Sequence, residues 1–146
     1  MKKIIIINGP NLNLLGNREK KIYGDHSLED IKKLSEKKSL ELNLKCFFFQ
    51  SNNEGDIINY IHSANDNYDG LIINPAAFTH TSVALLDALR AISIPKIEIH
   101  LSNIFTRENY RKQSITSEGV NGLICGFGSL SYILAIEAIN KLIYIK

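Results

Sequence analysis

Polar side chains that can move protons or bind oxygen follow three apolar runs of this chain, which end at Asn8, Asn74 and His100. His100 is of special interest because an imidazole exchanges its proton near neutral pH. In a strand, Glu98 lies on the same face as His100, so its carboxylate can fix the imidazole tautomer and favour the protonated ring. The spacing predicts that His100 acts as an acid that donates a proton. A histidine that only makes hydrogen bonds to its neighbours at the end of a strand has the same pattern.

The segments that follow these three positions add cations, hydroxyls, amides and a phenol. The candidates are Asn11, Arg18 and Tyr23 in the first segment, His80 in the second, and Ser102, Arg107 and Arg111 in the third. Three arginines at one site favour an anionic ligand. These residue types therefore predict acid and base chemistry on an anion. His80 can either donate to a ligand oxygen or simply cap the helix that follows it.

Tyr23 is a conceivable base for such chemistry. A tyrosine phenol ordinarily keeps its proton up to about pH 10, so a phenolate at neutral pH needs roughly 4 kcal/mol of stabilisation. One arginine at about 4 Å supplies about 4 kcal/mol at an effective dielectric constant near 20. Arg18 lies in the same segment and can fill this role. Composition and spacing alone fit a packed aromatic side chain more often than a base.

Catalysis through a metal, a Schiff base or an acyl-enzyme has less support. The sequence has no HExxH motif and no cysteine pair spaced as metal ligands, so no metal is expected. Lys20 and Lys21 lie near the candidates, but a solvated role suits them better than a desolvated Schiff-base lysine. The sequence has no GxSxG elbow. Glu98, His100 and Ser102 nevertheless occupy alternate positions along one stretch of the chain, so acyl transfer remains an alternative.

A glycine-rich turn near the C-terminus imitates a phosphate-binding motif. The sequence GFGSLS over residues 126–131 has Ser131 where a dinucleotide fingerprint needs glycine. Too few residues follow it to supply the acidic partner of a ribose. A tight turn between a strand and a helix explains the motif better, and no cofactor is expected.

Composition limits the classes of protein to consider. A chain of 146 residues with 45% apolar composition can form one globular domain with a core, and a single domain over residues 1–146 is expected. The net charge is +2 and like charges form no long block, so no nucleic-acid partner is expected. Neither a secretory signal nor a membrane-spanning segment is predicted. Cys46 and Cys125 lie in apolar segments typical of buried, reduced thiols, which predicts a cytoplasmic location.

Apolar strand patterns alternate with helical patterns along the whole chain. Strands are predicted over residues 3–7, 44–50, 70–73, 96–99 and 123–125, and helices over residues 27–42, 51–64, 81–91 and 129–143. In the third helix, Val83, Leu86 and either Leu85 or Leu89 are expected to face inward. Strands separated by helices form parallel sheets covered on both faces, and the flavodoxin-like order 2-1-3-4-5 is common for this pattern. The predicted fold is thus a five-stranded α/β flavodoxin-like sheet whose carboxyl edge collects the candidates.

Two long connections leave this edge. Residues 9–26 exceed the usual loop length of roughly 4–6 residues several times over. No helix is predicted before residue 27, but Leu12, Leu15 and Tyr23 favour burial, so an ordered loop that closes over a ligand is expected. Residues 101–121 are also predicted to be irregular, with one or two helical turns near residues 107–113.

The motifs of the chain resemble those of the type II 3-dehydroquinate dehydratases, metal-free enzymes of the shikimate pathway. The resemblance is carried, in order, by NGPNLNLLGNRE with IYG, by QSNNEG, by INPAAFTHTSVALLDAL and by IEIHLSNIFTRENYRKQS. It covers nearly the whole chain. Departures occur at Lys20, where the family often has proline, and at Asn53 and Phe105, where histidine is frequent. None of them falls on a matched catalytic position.

The resemblance implies a role for each matched residue in removing water from 3-dehydroquinate. Tyr23, held as a phenolate by Arg18, would take a proton from C2. Asn11 would stabilise the enolate through a water molecule, and His100, oriented by Glu98, would protonate the departing C1 hydroxyl. The implied result is 3-dehydroshikimate by overall anti elimination, without a cofactor or a Schiff base. The residues implied in substrate binding are Leu101 and Ser102 for the carboxylate, Asn74, His80 and Arg111 for the hydroxyls, and Arg107 near the loop that closes.

The resemblance also implies an assembly. The family forms trimers stacked into dodecamers, in which the residue that matches Asp87 reaches a neighbouring site. From the sequence alone, Asp87 is a solvated helix residue. A flavodoxin-like module that binds a flavin or a nucleotide is the alternative from another functional class, because it would share the predicted fold.

Overall fold

A parallel sheet forms the centre of the protein in this computed structural model, which describes residues 1–17 and 19–145. Within these residues the strand order is β2-β1-β3-β4-β5. The strands are β1 (Lys2–Asn8), β2 (Leu44–Gln50), β3 (Gly70–Asn74), β4 (Lys96–His100) and β5 (Gly122–Cys125). All neighbouring pairs are parallel. The predicted flavodoxin-like order is confirmed.

Helices cover both faces of the sheet. They are α1 (Lys20–Tyr23), α2 (Leu28–Glu41), α3 (Glu54–Asn67), α4 (Val83–Ala91) and α5 (Leu130–Tyr144). Side chains of α2 and α5 share one core cluster with the sheet, whereas those of α3 and α4 share the other. The strands of the sheet therefore lie between two separate apolar layers.

The four consecutive isoleucines of β1 show why the sheet is buried on both sides. Ile4 and Ile6 belong to the cluster under α2 and α5, and Ile5 and Ile7 belong to the cluster under α3 and α4. Successive strand residues point to opposite faces, so an unbroken apolar run requires cover on both. Within the sheet, β1 lies between β2 and β3.

Side-chain caps set where the helices begin. Ser27 and Asp30 form a reciprocal capping box at the start of α2. Asn53 accepts hydrogen bonds from the first turn of α3, and Ser82 does the same for α4, so both helices begin slightly later than predicted. Val83 was expected to face inward, and this was wrong, because its position beside the cap leaves the residue 56% exposed.

The connections at the carboxyl edge are more structured than predicted. The expectation of no helix before residue 27 was wrong, since a 3₁₀ turn at Leu12–Leu14 and the one-turn helix α1 lie in that stretch. The second long connection contains 3₁₀ turns at Ile104–Thr106, Asn109–Arg111 and Thr116–Gly119. The middle one lies within the predicted range. The glycine-rich turn joins β5 directly to α5, as expected for a tight strand-to-helix turn.

Two further expectations concern the thiols and the membrane. Cys46 and Cys125 are free and half-buried, not fully buried as expected, because each lies on a strand close to the sheet edge. Burial is still sufficient to raise the pKa of each thiol to about 11. Of the helices in the described part of the chain, none has the length and apolar character needed to cross a bilayer.

Candidate active site

A cavity opens at the carboxyl edge of the sheet, where β1, β3 and β4 end. It encloses about 600 Å³ of free space, counting the part that is open to solvent. Its wall includes nine of the residues selected from the sequence: Asn11, Tyr23, Asn74, His80, His100, Leu101, Ser102, Arg107 and Arg111. Ligands of open parallel sheets bind at this edge, beside the point where strand order reverses.

His100 and Glu98 form a buried pair at the end of β4. His100 is 5% exposed and Glu98 is 0% exposed. The imidazole Nε2 lies 2.7 Å from the carboxylate Oε2 of Glu98. Since an ionised carboxylate can only accept, Nε2 carries a proton and Nδ1 is the ring nitrogen that remains for proton transfer. The predicted pairing of these two side chains is present.

Glu98 is held by hydroxyls that come from two connections. Thr79 donates to Oε2 at 2.7 Å, Ser114 donates to Oε2 at 3.0 Å and Thr116 donates to Oε1 at 2.5 Å. Burial alone would raise the pKa of the Glu98 carboxyl, but the hydrogen bond and charge of His100, together with the threonine hydroxyls, hold this pKa below its usual value. The carboxylate is therefore a fixed negative charge behind the imidazole.

Tyr23 reaches the cavity from the other side, from the end of α1. Arg107 Nη1 donates to the Tyr23 hydroxyl at 2.9 Å, and the guanidinium carbon lies 5.3 Å from the centre of the phenol ring. This contact places a positive charge against the phenol oxygen. The resemblance implied only a position near the closing loop for Arg107, whereas the structure brings it onto the phenol oxygen. Arg18, predicted to play this part, lies outside the described residues.

Further polar groups line the wall between these two sides. His80 Nδ1 lies 2.7 Å from the carbonyl oxygen of Gln113. Partial burial lowers the pKa of the His80 imidazole, and the hydrogen bond to Gln113 only partly offsets this. The neutral ring donates from Nδ1, which leaves Nε2 as an acceptor for a ligand hydroxyl. Arg111 Nε lies 3.1 Å from Glu108 Oε2, so this cation is held beside the cavity by an acidic neighbour.

Asn11 is placed by residues that follow β2. Its backbone is in the left-handed region with φ 69°, a conformation that asparagine tolerates better than most residues. Asn52 Oδ1 accepts from the Asn11 backbone amide at 2.9 Å, and Gln50 donates to Asn52 at 3.0 Å. The side chain of Asn11 therefore projects from a loop that the end of β2 holds in place.

The glycine-rich turn orients two backbone amides at the floor of the cavity. The carbonyl of His100 accepts from Gly126 at 3.2 Å, and the carbonyl of Leu101 accepts from Gly128 at 2.9 Å. In a trans peptide the carbonyl and the following amide point in opposite directions. The amides of Leu101 and Ser102 consequently point away from the turn, on the side where both residues line the cavity. Paired amides of this kind bind carboxylates.

Comparison with known proteins identifies the family. A family model described as dehydroquinase class II matches residues 2–140. The chain belongs to the class II dehydroquinase family. The resemblance seen in the motifs is thus confirmed over almost the full length of the sequence.

Curated relatives of this dehydroquinase family match the chain from end to end. The 3-dehydroquinate dehydratase of Thermoanaerobacter pseudethanolicus is 52% identical over 142 residues, which cover 97% of this chain and 96% of that protein. The 3-dehydroquinate dehydratase of Caldicellulosiruptor saccharolyticus is 54% identical over 144 residues, covering 98% and 99%. Among solved structures, the type II dehydroquinase of Butyrivibrio crossotus superposes with a TM-score of 0.93 at 46% identity, covering 95% of this chain and 97% of that one.

The structure separates the predicted site residues of this dehydroquinase into three groups. Those that line the cavity are named above. Glu98 lies directly behind His100 and acts on the cavity through it. Asp87 is exposed on α4 and is not among the described residues that line the cavity. Sequence reasoning missed Ser114 and Thr116, whose convergence on Glu98 has no signal beyond two hydroxyl residues in an irregular stretch.

The described part of the chain holds no cluster of candidate metal ligands. Among residues 1–17 and 19–145, no group of three or more histidine, cysteine, aspartate or glutamate side chains is placed to hold an ion. The groups that meet in the cavity are instead a phenol with a cation and an imidazole with a carboxylate. This arrangement can remove a proton on one side of a bound molecule and deliver one on the other.

Proposed function

We propose that the protein is a hydro-lyase that converts 3-dehydroquinate into 3-dehydroshikimate and water in the shikimate pathway. One observation carries the proposal: Tyr23 with its arginine and His100 with its carboxylate line a single cavity. The chain belongs to a dehydroquinase family, which favours this reaction over the flavin or nucleotide module that the same fold allows.

The first step is removal of a proton from C2 of the substrate by Tyr23. Arg107 supports the phenolate through its hydrogen bond of 2.9 Å. The guanidinium carbon of Arg107 also lies 5.3 Å from the centre of the Tyr23 ring, so its positive charge is close to the proposed base. Arg18, implied by the family resemblance, adds a second cation in this proposal. The electrons of the broken C–H bond pass to the ketone oxygen as an enolate, which Asn11 stabilises through a water molecule.

The second step is loss of the C1 hydroxyl. The enolate re-forms the ketone, a double bond forms between C1 and C2, and the C1–oxygen bond breaks. His100 gives its proton to the departing oxygen, which leaves as water. The proton that Tyr23 took from C2 then returns to His100 through solvent, so the enzyme ends as it began. Glu98 stabilises the protonated imidazole before this transfer, because the buried carboxylate lies 2.7 Å from Nε2.

The remaining wall of the cavity would bind the polar groups of the substrate. The substrate carboxylate would accept hydrogen bonds from the backbone amides of Leu101 and Ser102, which the glycine-rich turn orients. The substrate hydroxyls would bind to Asn74, His80 and Arg111. The reaction uses no cofactor and no covalent bond to lysine in this proposal.

We also propose that the protein assembles into trimers and that four trimers form a dodecamer, as the family resemblance implies. Val83 and Asp87 lie one helical turn apart, and both are exposed on α4. Packing of this face against a second copy would cover an apolar side chain and bring Asp87 to a neighbouring cavity. Light scattering at micromolar concentration tests the assembly, and a monomer would contradict it.

The test of the activity is an assay with purified protein and 3-dehydroquinate. The product is a conjugated enone, so its ultraviolet absorbance should rise with time and in proportion to enzyme concentration. Turnover should persist after dialysis against a chelator. No rise in absorbance would overturn the proposal. Borohydride added during turnover should leave the mass of the protein unchanged, and a reduced adduct would show Schiff-base chemistry instead.

A further inference from the structure

A buried tyrosine in the apolar layer under α2 and α5 contacts the floor of the cavity. Tyr132 lies in α5 and is completely buried. Its hydroxyl donates to Asn8 Oδ1 at 2.6 Å and accepts from Asn74 Nδ2 at 3.0 Å. These two asparagines are the last residues of β1 and β3 and are paired in the sheet register. The hydroxyl therefore joins the ends of the two central strands.

The hydrogen bonds around this hydroxyl have only one consistent direction. Asn8 Nδ2 donates to the carbonyl of Phe49 at 2.9 Å, so Asn8 must present its oxygen to Tyr132. A phenol has a single proton, which Tyr132 gives to this oxygen. Asn74 can then meet only a lone pair and must present its nitrogen. Its oxygen is turned to the opposite side, where the Ala76 amide donates to it at 3.1 Å.

The environment of Tyr132 keeps this direction fixed. Burial raises the pKa of the phenol, so it stays protonated throughout the physiological range. Phe48 packs against the ring with centroids 6.3 Å apart, which restricts its rotation. The hydroxyl is thus a neutral, immobile donor and acceptor in an apolar layer.

The network also supports an unusual backbone conformation beside the cavity. Ala76 has φ 52°, in the left-handed region that alanine rarely adopts, and it lines the cavity together with Asn74. The bond from its amide to Asn74 Oδ1 helps to hold this conformation. Turning the Asn74 amide around would place its nitrogen against the Ala76 amide, donor against donor.

We propose that Tyr132 is a positioning residue that fixes the orientation of the Asn74 amide, so that Asn74 presents its oxygen as an acceptor for a substrate hydroxyl. This inference rests on the proposed function for the identity of the ligand. Tyr132 touches no substrate and acts through Asn74. The role is independent of the proton transfers by Tyr23 and His100, so it concerns substrate affinity and not the chemical step.

Tyr132→Phe removes the hydroxyl and retains the ring. We expect KM for 3-dehydroquinate to rise about fivefold, the equivalent of one ordinary hydrogen bond. The value of kcat should stay within about twofold, because ground-state and transition-state binding weaken together. Ile136→Val, one turn further along α5 and equally buried, is the matched control. It should lower the urea midpoint of unfolding without raising KM.

A second variant tests the direction of the hydrogen bonds. Asn8→Ala deprives the Tyr132 proton of its acceptor, so the phenol competes with the Ala76 amide for the Asn74 oxygen and the orientation of the Asn74 amide is no longer fixed. KM should rise as it does in Tyr132→Phe. In an Asn74→Ala background, Tyr132→Phe should change KM by less than about twofold, since the route through Asn74 is already lost. A full fivefold effect in that background would show that Tyr132 acts by another route.

A measurement without substrate separates this inference from the proposed function. In protein labelled with nitrogen-15 at asparagine, the side-chain amide of Asn74 should exchange with water slowly, and in Tyr132→Phe about tenfold faster. Unchanged exchange, or an unchanged KM in Tyr132→Phe, overturns the inference, as does an equal KM rise in Ile136→Val. If the wild-type protein does not act on 3-dehydroquinate, the proposed function fails together with the substrate role, and the exchange rates still decide whether Tyr132 orients Asn74.

Discussion

The two sides of the cavity are built in different ways. The strand-end floor, formed by Asn8, Asn74, Glu98 and His100, is buried. Asn8, Asn74 and Glu98 make side-chain hydrogen bonds to other elements, and His100 is paired with Glu98 of its own strand. The β1–α2 loop, which carries Asn11 and Tyr23, consists of single helical turns whose side chains are largely exposed. The proposed acid, His100, therefore lies among buried side chains, whereas the proposed base, Tyr23, lies on a largely exposed loop.

This difference follows from what each side must do. An acid that depends on a buried carboxylate needs a fixed distance to it, because the attraction between charges in a poorly solvated site falls steeply when water enters. A base on a loop opposite the strand-end floor must leave space for the substrate to enter. In the proposed mechanism the floor therefore depends on the burial of the Glu98–His100 pair, and the loop on the contact between Tyr23 and Arg107.

The largest effect is expected when either of the two proposed reacting groups is removed. Tyr23→Phe and His100→Ala should each lower kcat by about 10²–10⁴-fold, the usual contribution of a positioned acid or base. The two variants should differ in stability. Tyr23→Phe should leave the free energy of unfolding within about 0.5 kcal/mol, whereas His100→Ala leaves the Glu98 charge without its partner and should cost about 1–3 kcal/mol.

Steady-state turnover and urea unfolding measure these two effects. Tyr110→Phe is the control for loss of a phenol, because Tyr110 is exposed and its hydroxyl has no role in the proposal. Near-normal turnover in Tyr23→Phe or His100→Ala would refute the assigned role. Equal losses of stability in the two variants would remove the distinction between floor and loop.

A smaller effect is expected when the hydroxyls around Glu98 are removed. Thr116→Val keeps the shape of the side chain but deprives the buried carboxylate of a donor, and should cost about 1–3 kcal/mol of unfolding free energy. Turnover should fall as well, because a less firmly held Glu98 orients His100 less well. Thr81→Val, at an exposed position, is the control and should change stability by less than about 0.5 kcal/mol. Similar values for both variants would mean that the hydroxyl cluster is not stabilising.

Two glycines offer a direct comparison of packing on the two sides. A Cβ on Gly9 would lie 2.5 Å from the carbonyl oxygen of Pro75, so Gly9→Ala should push the ends of β1 and β3 apart and cost about 1–3 kcal/mol. A Cβ on Gly24 would meet nothing within 4 Å, but its φ of 87° favours glycine. Gly24→Ala should therefore cost only about 1 kcal/mol, as local backbone strain in the loop.

Thermal unfolding and kinetics separate the two outcomes. Gly9→Ala should lower the midpoint of global unfolding more than Gly24→Ala does. Gly24→Ala should alter KM or kcat with little change in the midpoint, because the strain can relax within the loop. A larger loss of stability in Gly24→Ala than in Gly9→Ala would contradict the description of the loop as a lightly held segment.

The smallest effect concerns acid stability. The pKa of Glu98 is lower in the folded protein than the ordinary value of 4.5. Below that ordinary value the unfolded chain binds a proton at Glu98 before the folded protein does, so the free energy of unfolding falls as the pH drops towards the folded pKa. In Glu98→Gln, this part of the fall in the free energy of unfolding should be absent. Urea midpoints of both proteins between about pH 6 and pH 3 test it, and parallel curves would show that Glu98 contributes nothing.

Much of the floor could be predicted from the sequence. Apolar runs that end in Asn8, Asn74 and His100 predict neighbouring strand ends, since parallel strands place their carboxyl ends at one edge. The pairing of Glu98 with His100 follows from the two-residue period of a strand. These predictions succeed because they depend on local geometry that every strand shares.

Contacts between distant parts of the chain could not be predicted in this way. Arg107 lies 84 residues after Tyr23, and no local rule places its guanidinium on that phenol. The inward direction expected for Val83 failed because the exact start of α4 depends on the Ser82 cap. Tyr132 lies in a strongly apolar helix and has the pattern of an ordinary core residue, so its hydroxyl gave no signal.

The sequence by itself determined the order of the elements, the edge of the sheet at which the candidate site lies, and the residue types available there. The tertiary structure alone decided that Arg107 meets Tyr23, which hydroxyls surround Glu98, and in which direction the amide of Asn74 is turned. The physical reason is that strand and helix periodicity are short-range properties of the chain. Hydrogen-bond direction in a buried network depends on every partner, and those partners meet only when the chain is folded.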